Sequence, residues 1–163
     1  MSEYFDGNEQ VWWSKKYSPL LNTITNQQNM DPVEPGFKNF YSTNAHILIM
    51  AAALGLAKGL KGKVDSNSRN GIPINVFQTN DFGSQKLCYY MALIVFLDSK
   101  DEKANIIRKE NTNDQDLINK FQELAEGGLS YLNNEQYNPA NTDVSAEKVL
   151  KIILVDYIKR GGL

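Results

Sequence analysis

The stretch Ser42-Thr43-Asn44-Ala45-His46-Ile47-Leu48-Ile49-Met50-Ala51-Ala52-Ala53-Leu54-Gly55 decides the fold. Any of Ser42, Thr43 and Asn44 can cap a helix by accepting a backbone amide hydrogen bond, and the run that follows is apolar on nearly every side. A helix without a wet face belongs in the centre of a bundle, where alanines allow close approach and Ile47, Met50 and Leu54 fill the gaps. Gly55 and Gly59 mark its C-terminal end.

On the C-terminal side, Leu87, Tyr90, Met91, Ile94 and Val95 recur at helical spacing and predict a helix from about 84 to 97. Its other face carries Cys88, Ala92 and Phe96, so it too is largely buried. Between these helices Ile72, Ile74 and Val76 alternate with Pro73 and Asn75, the pattern of a short extended segment or edge strand. Residues 101–109 predict a short helix with Ile106 and Ile107 inward, and Asn113 or Asp114 can cap the next. There Leu117, Phe121, Leu124, Ala125, Gly128, Leu129 and Leu132 line one side, while Asp116, Lys120, Gln122 and Glu123 can stay wet. The pair Gly127-Gly128 inside this helix needs a cause, because each glycine costs about 1 kcal/mol against alanine. Close packing on another backbone, or a break, supplies one. A last helix is expected over 145–159, with Val149, Leu150, Ile153, Leu154, Tyr157 and Ile158 on one stripe. Asp143 or Ser145 serves as its N-cap, and Lys159 and Arg160 lie near the negative end of its dipole.

Residues 1–39 are polar, with Trp12, Trp13, Tyr17, Leu20 and Leu21 as the main apolar anchors, and are expected to dock one short helix. Two prolines and a glycine within 29–36 read as an extended connector. The chain is therefore expected to be mainly α, a compact helical bundle of about five or six helices with room for one short extended segment or small strand pair. A polar N-terminal segment over 1–39 and a helical domain over 40–163 form one globular unit.

At 163 residues and 42% hydrophobic, the chain can bury a core that needs neither metal nor disulfide. Seventeen basic against 19 acidic side chains leave a formal charge of −2, so no global positive field draws it to nucleic acid or an anionic membrane. A lone cysteine, Cys88, fits a reducing compartment. Residues 1–10 carry Glu3, Asp6 and Glu9 where a signal peptide would be basic and then apolar. The apolar stretches 45–57 and 87–97 fall short of the about 20 residues that cross a bilayer. A cytoplasmic protein without a membrane partner is the expectation.

Chemistry is sparse. His46 is the only histidine and sits in an apolar helix, where a helix-end or core role is the better reading. One histidine and one cysteine cannot make a usual zinc site, and Cys88 in a buried stripe reads as an inert small hydrophobe. Asp98, Asp101 and Glu102, each two residues or fewer from a lysine, match half of a metal-dependent nuclease motif. They fall at a helix end and a linker, however, where adjoining strands would be needed. The Gly55-Leu56-Ala57-Lys58-Gly59-Leu60-Lys61-Gly62-Lys63 stretch closes a helix, whereas a phosphate loop opens one. Its lysines suit a helix terminator, or contact with phosphates or a partner's acids that Arg69 can join. No catalytic residue, metal or cofactor is assigned; Lys58, Lys61, Lys63 and Arg69 are the candidate binding residues.

Three stretches together resemble a family of small proteins encoded beside DNA phosphorothioation (Dnd) modification and restriction systems. They are the aromatic-cap-helix-turn run from Phe40 and Tyr41 through Ala52-Ala53-Leu54-Gly55 to Lys58-Gly59, the run Leu93-Ile94-Val95-Phe96-Leu97-Asp98, and Phe121-Gln122-Glu123-Leu124-Ala125-Glu126-Gly127-Gly128-Leu129-Ser130-Tyr131-Leu132. The last is similar to the family's Ala-x-Gly-Gly-Leu element. The resemblance covers about 40–158, consists mostly of packing residues and carries over no active-site residue. It implies a phage-defence setting and a non-catalytic accessory subunit that binds other protein components of the system, and DNA weakly if at all on its own. The asparagine-rich composition and long polar start depart from the family. A small DNA-binding module using the lysine loop, and a metal-dependent nuclease, are the alternatives.

Overall fold

The computed structural model of the chain describes residues 9–22, 43–98, 114–135 and 146–162. In chain order these form β1 (Gln10–Ser14), a 3₁₀ turn (Lys15–Tyr17), α1 (Asn44–Lys58), β2 (Arg69–Pro73) and α2 (Ile74–Thr79). Then come β3 (Asp81–Phe82), β4 (Gln85–Lys86), α3 (Leu87–Asp98), α4 (Asp114–Glu135), α5 (Ala146–Tyr157) and a π-helical turn (Ile158–Gly162). The protein is mainly α, with two small antiparallel strand pairs, β1 with β2 and β3 with β4.

Helix α1 is the hub. Every residue from 45 to 56 is buried, as an all-round apolar helix requires, and α1 packs on α4, α3 and α5. Of the three capping candidates, Thr43 is the N-cap: its side chain accepts from the His46 amide. The helix ends at Gly59, whose φ of 68° is the left-handed conformation that glycine adopts without a Cβ penalty. Gly55 lies one turn earlier, inside the helix, and has a different task described below.

Gly127 and Gly128 do not break α4. A Cβ on Gly128 would fall 1.6 Å from the Ala51 carbonyl oxygen of α1, and one on Gly55 would fall 2.2 Å from the Leu124 carbonyl oxygen of α4. The two helices thus touch backbone to backbone, and the glycines are what permit it. Ile118, Phe121, Leu124, Leu129 and Leu132 of α4 complete this core, with Ile118 fully buried.

Three elements differ from the sequence expectation. Ile74 and Val76 are helical: the extended segment stops at Pro73, and α2 then buries Ile74 and Phe77 at helical spacing. Gln10-Val11-Trp12-Trp13-Ser14 is a strand preceding the short helical piece, with Val11 and Trp13 buried as alternate residues. Gln122 is not wet; it is buried against that strand. The expected helix at 101–109, the connector at 29–36 and the cap candidates Ser42, Asn113, Asp143 and Ser145 lie outside the described residues. No described helix is long and apolar enough to cross a membrane.

Candidate interaction surface

The loop from α1 to β2 is held at both ends by the core beneath it. After Gly59 turns the chain, the Leu60 amide donates back to the Gly55 carbonyl at 2.8 Å. The Gly62 amide donates to the Glu123 carbonyl of α4 at 2.9 Å. Gly127 leaves the room for this approach, since a Cβ there would fall 2.3 Å from the Leu60 carbonyl oxygen. One glycine of the pair therefore admits α1 and the other admits the loop that follows it. Further along, the Asp65 amide donates to the Ser14 hydroxyl at 3.0 Å, and the Asp65 side chain accepts from the Asn67 amide at 2.9 Å. The turn delivers the chain to Arg69 and into β2, which pairs with β1 so that Trp12 lies opposite Gly71 and Ser14 opposite Arg69.

A buried polar seam fixes the other edge of β1. The Trp12 amide donates to Gln122 Oε1 at 2.8 Å, and the Ser14 amide to Glu126 Oε2 at 2.9 Å. Alternate amides of a strand recur about every 6.6 Å, and side chains four apart on a helix about every 6 Å, so Gln122 and Glu126 meet Trp12 and Ser14 nearly in step. The Ser14 hydroxyl donates to Glu126 Oε1 at 2.7 Å while accepting from the Asp65 amide, which ties β1, α4 and the loop into one unit. Ser14 and Glu126 are 1% and 3% exposed, so this serine-carboxylate contact is closed to a substrate and is structural. These residues were not candidates in the sequence. The signal available was a glutamine and a glutamate four apart beside the double glycine, a polar pair on a helix face that packs.

Three of the four candidate cations are engaged, each with a different element. Lys58 Nζ lies 5.3 Å from the ring centroid of Tyr131 on α4. Lys61 Nζ is 3.0 Å from Asp98 Oδ2 at the end of α3. The Arg69 guanidinium lies over the Trp12 ring, 3.9 Å from its centroid, and the same ring packs so close to Gly71 that a Cβ there would fall 2.8 Å from Trp12 Cζ3. Lys63 is exposed and makes no ion pair among the described residues. Lys61 spends part of its charge on Asp98, while the cation-aromatic contacts of Lys58 and Arg69 leave theirs uncompensated.

His46 and Cys88 are both core residues. His46 is 5% exposed; its Nε2 donates to the Asp81 carbonyl at 2.8 Å, so Nδ1 is the acceptor of a hydrogen bond donated by the Thr43 hydroxyl at 2.7 Å. Burial lowers its pKa below the ordinary imidazole value, against the pull of the Asp81 carbonyl. Burial likewise pushes the Cys88 thiol up, away from the reactive thiolate. Among the described residues no three histidine, cysteine, aspartate or glutamate side chains group as a metal site. Asp98 is paired with Lys61, and Asp101 and Glu102 lie outside the described residues.

Fold and surface together define a mainly helical protein whose exposed polar chemistry stands on a loop pinned to a glycine seam. The chain matches the model of DNA sulphur modification system-associated protein 4 over residues 12–159, and it belongs to that family. No curated protein and no solved structure matches it. The matched region begins at Trp12, so it takes in most of β1, well before the resemblance at residue 40 seen in the sequence. The family's description associates the chain with a DNA sulphur modification system.

Proposed function

We propose that this protein is a non-catalytic accessory subunit of such a system, and that it acts by binding other protein components through the surface of the 58–69 loop. The observation that carries this reading is the pinning of the loop. The amides of Leu60, Gly62 and Asp65 are bonded to α1, α4 and β1, so exposed cations are presented on a scaffold that loses little entropy on binding. An acidic protein patch is the matching chemistry. At physiological salt the potential reaches only about 8 Å, so a few DNA phosphates can add to the assembly without making the isolated chain a tight DNA binder.

The test replaces Lys58, Lys61 and Lys63 together with glutamine, and Arg69 separately. Capture of the products of the neighbouring modification genes should fall at least tenfold in the triple variant, with the fold intact by circular dichroism. DNA affinity of the isolated chain should be weak and lost with added salt. Unchanged capture by a well-folded triple variant rejects the loop as the binding surface. Specific cleavage of DNA by the purified chain, lost on Asp101→Ala or Glu102→Ala, rejects the non-catalytic reading.

A further inference from the structure

Helix α5 is apolar on two opposite sides. Leu150 and Leu154 are buried on the inner side, with Ile153 and Tyr157 packed beside them. On the outer side Ile152 is 56% exposed and Val155 47%, and with Lys151, Asp156 and Lys159 they line a hollow of about 380 Å³. Three of the five exposed large hydrophobic residues of the described chain, Ile152, Val155 and Ile158, fall on this helix and the turn that ends it. Exposed apolar side chains grouped within a charged rim mark a contact surface.

The arrangement of the charges identifies the occupant. Ile152 and Val155 stand three apart, as the two apolar positions of a heptad do. Lys151 precedes the first and Asp156 follows the second, at the two flanking positions. When two such helices lie side by side in parallel and in register, Ile152 faces Ile152 and Val155 faces Val155. The flanking residue at 151 then meets the flanking residue five positions on, at 156, of the other helix. Here that pairs a lysine with an aspartate, twice, by symmetry. A stripe that complements itself in both its apolar and its charged positions fits a second copy of the same chain.

We propose that the outer stripe of α5 seats a second copy of this chain, helix against helix in parallel, as a weak symmetric dimer. The bridge from Asp156 to Arg160, 3.0 Å long on an open surface, is a weak competitor for the aspartate. Lys159, which lines the same hollow, continues the seam at its C-terminal end and faces its own kind, which limits the favourable contact to about two helical turns. So short a contact buries far less than the about 800 Å² per partner of an ordinary stable interface, and the dimer should dissociate on dilution. This surface is separate from the 58–69 loop, and the proposal does not depend on the partner reading.

Sedimentation velocity of the full chain over a dilution series tests it. The parent should shift from monomer to dimer as concentration rises. Ile152→Glu should remain monomeric, with an unchanged far-ultraviolet spectrum, because the side chain already faces water. Lys151→Asp and Asp156→Lys should each lose the dimer alone, an equimolar mixture of the two should regain it, and the double reversal in one chain should restore the parent's behaviour. A parent that is monomeric at every concentration overturns the proposal. So does a dimer that survives both single reversals, or a monomer whose capture of another protein is abolished by Ile152→Glu, which would give the face to a different partner.

Discussion

Helix α4 meets its neighbours in two opposite ways. Along Leu124, Gly127 and Gly128 it offers no side chain beyond a leucine backbone and two glycines, and the carbonyls of Leu60 and Ala51 press directly on it. At Gln122 and Glu126 it reaches out with long side chains to hydrogen-bond the amides of β1. The first contact is specified by shape and tolerates no added atom. The second is specified by pairing of donors and acceptors, and tolerates a change of shape better than a lost acceptor.

The comparison breaks if the two contacts respond alike to substitution. Gly128→Ala should have the largest effect, because its single methyl must displace the Ala51 backbone. It should cost more than the ~1–3 kcal/mol of ordinary overpacking, read as a lowered denaturation midpoint, with Gly128→Leu worse still. A midpoint equal to the parent's would mean that α1 and α4 do not touch there. Glu126→Ala should come next, at about 1–3 kcal/mol, since it leaves the buried Ser14 amide and hydroxyl without their acceptor. Glu126→Gln keeps one acceptor oxygen and should recover part of that loss. If glutamine and alanine were equally harmful, packing and not hydrogen bonding would hold β1.

The smallest effect sharpens the comparison by asking whether a buried hydrogen-bonded link can be titrated. His46 joins the start of α1 to β3 through Thr43 and the Asp81 carbonyl, and burial lowers its pKa. The folded chain therefore holds fewer protons than the unfolded chain below about pH 6.5, the ordinary imidazole pKa. His46 thus contributes its full stability above that pH, and the contribution falls as the pH drops toward the folded-state value. Subtracting the stability profile of a His46→Gln variant from the parent's should leave this slope and remove the carboxylate background. A flat difference from pH 7 to 5, at a level set by the substitution, would show that the ring takes up its proton as readily folded as unfolded.

These two kinds of contact also differ in how plainly they can be read from sequence. Gly127-Gly128 inside a helical stripe is costly without close packing or a break, so a close backbone contact was one of two expectations, with α1 as its partner visible only in the fold; the buried α1 and its termination at Gly59 could be anticipated. The polar contact could not. A strand of five residues leaves little period to count, and Trp12 and Trp13 fit a docking helix equally well until β2, nearly sixty residues away, is known to lie alongside. Gln122 looked wet because an amide side chain usually is; only the strand's unpaired amides give it a reason to be buried. Ile72, Ile74 and Val76 misled for a related reason, since Ile74 with Phe77 fits a helix turn as well as Ile72 with Ile74 fits a strand. For the candidate surface, the lysines were visible, but their engagement with Tyr131, Asp98 and, for Arg69, Trp12 depends on tertiary neighbours.

The matched spacing of Gln122 and Glu126 against β1 also bears on the protein's solubility. A strand at the margin of a sheet is a template on which a second chain can add itself, and proteins blunt such margins to avoid growing into aggregates. Here a helix imitates the missing neighbour: two acceptors, one turn apart, occupy amides that another strand would seek. On the opposite side Pro73 has no amide to offer at the end of β2. Loss of both acceptors through a Gln122→Ala, Glu126→Ala pair would thus do more than loosen β1. It would uncover a row of donors beside two tryptophans, and the sheet of one molecule could then be extended by the next.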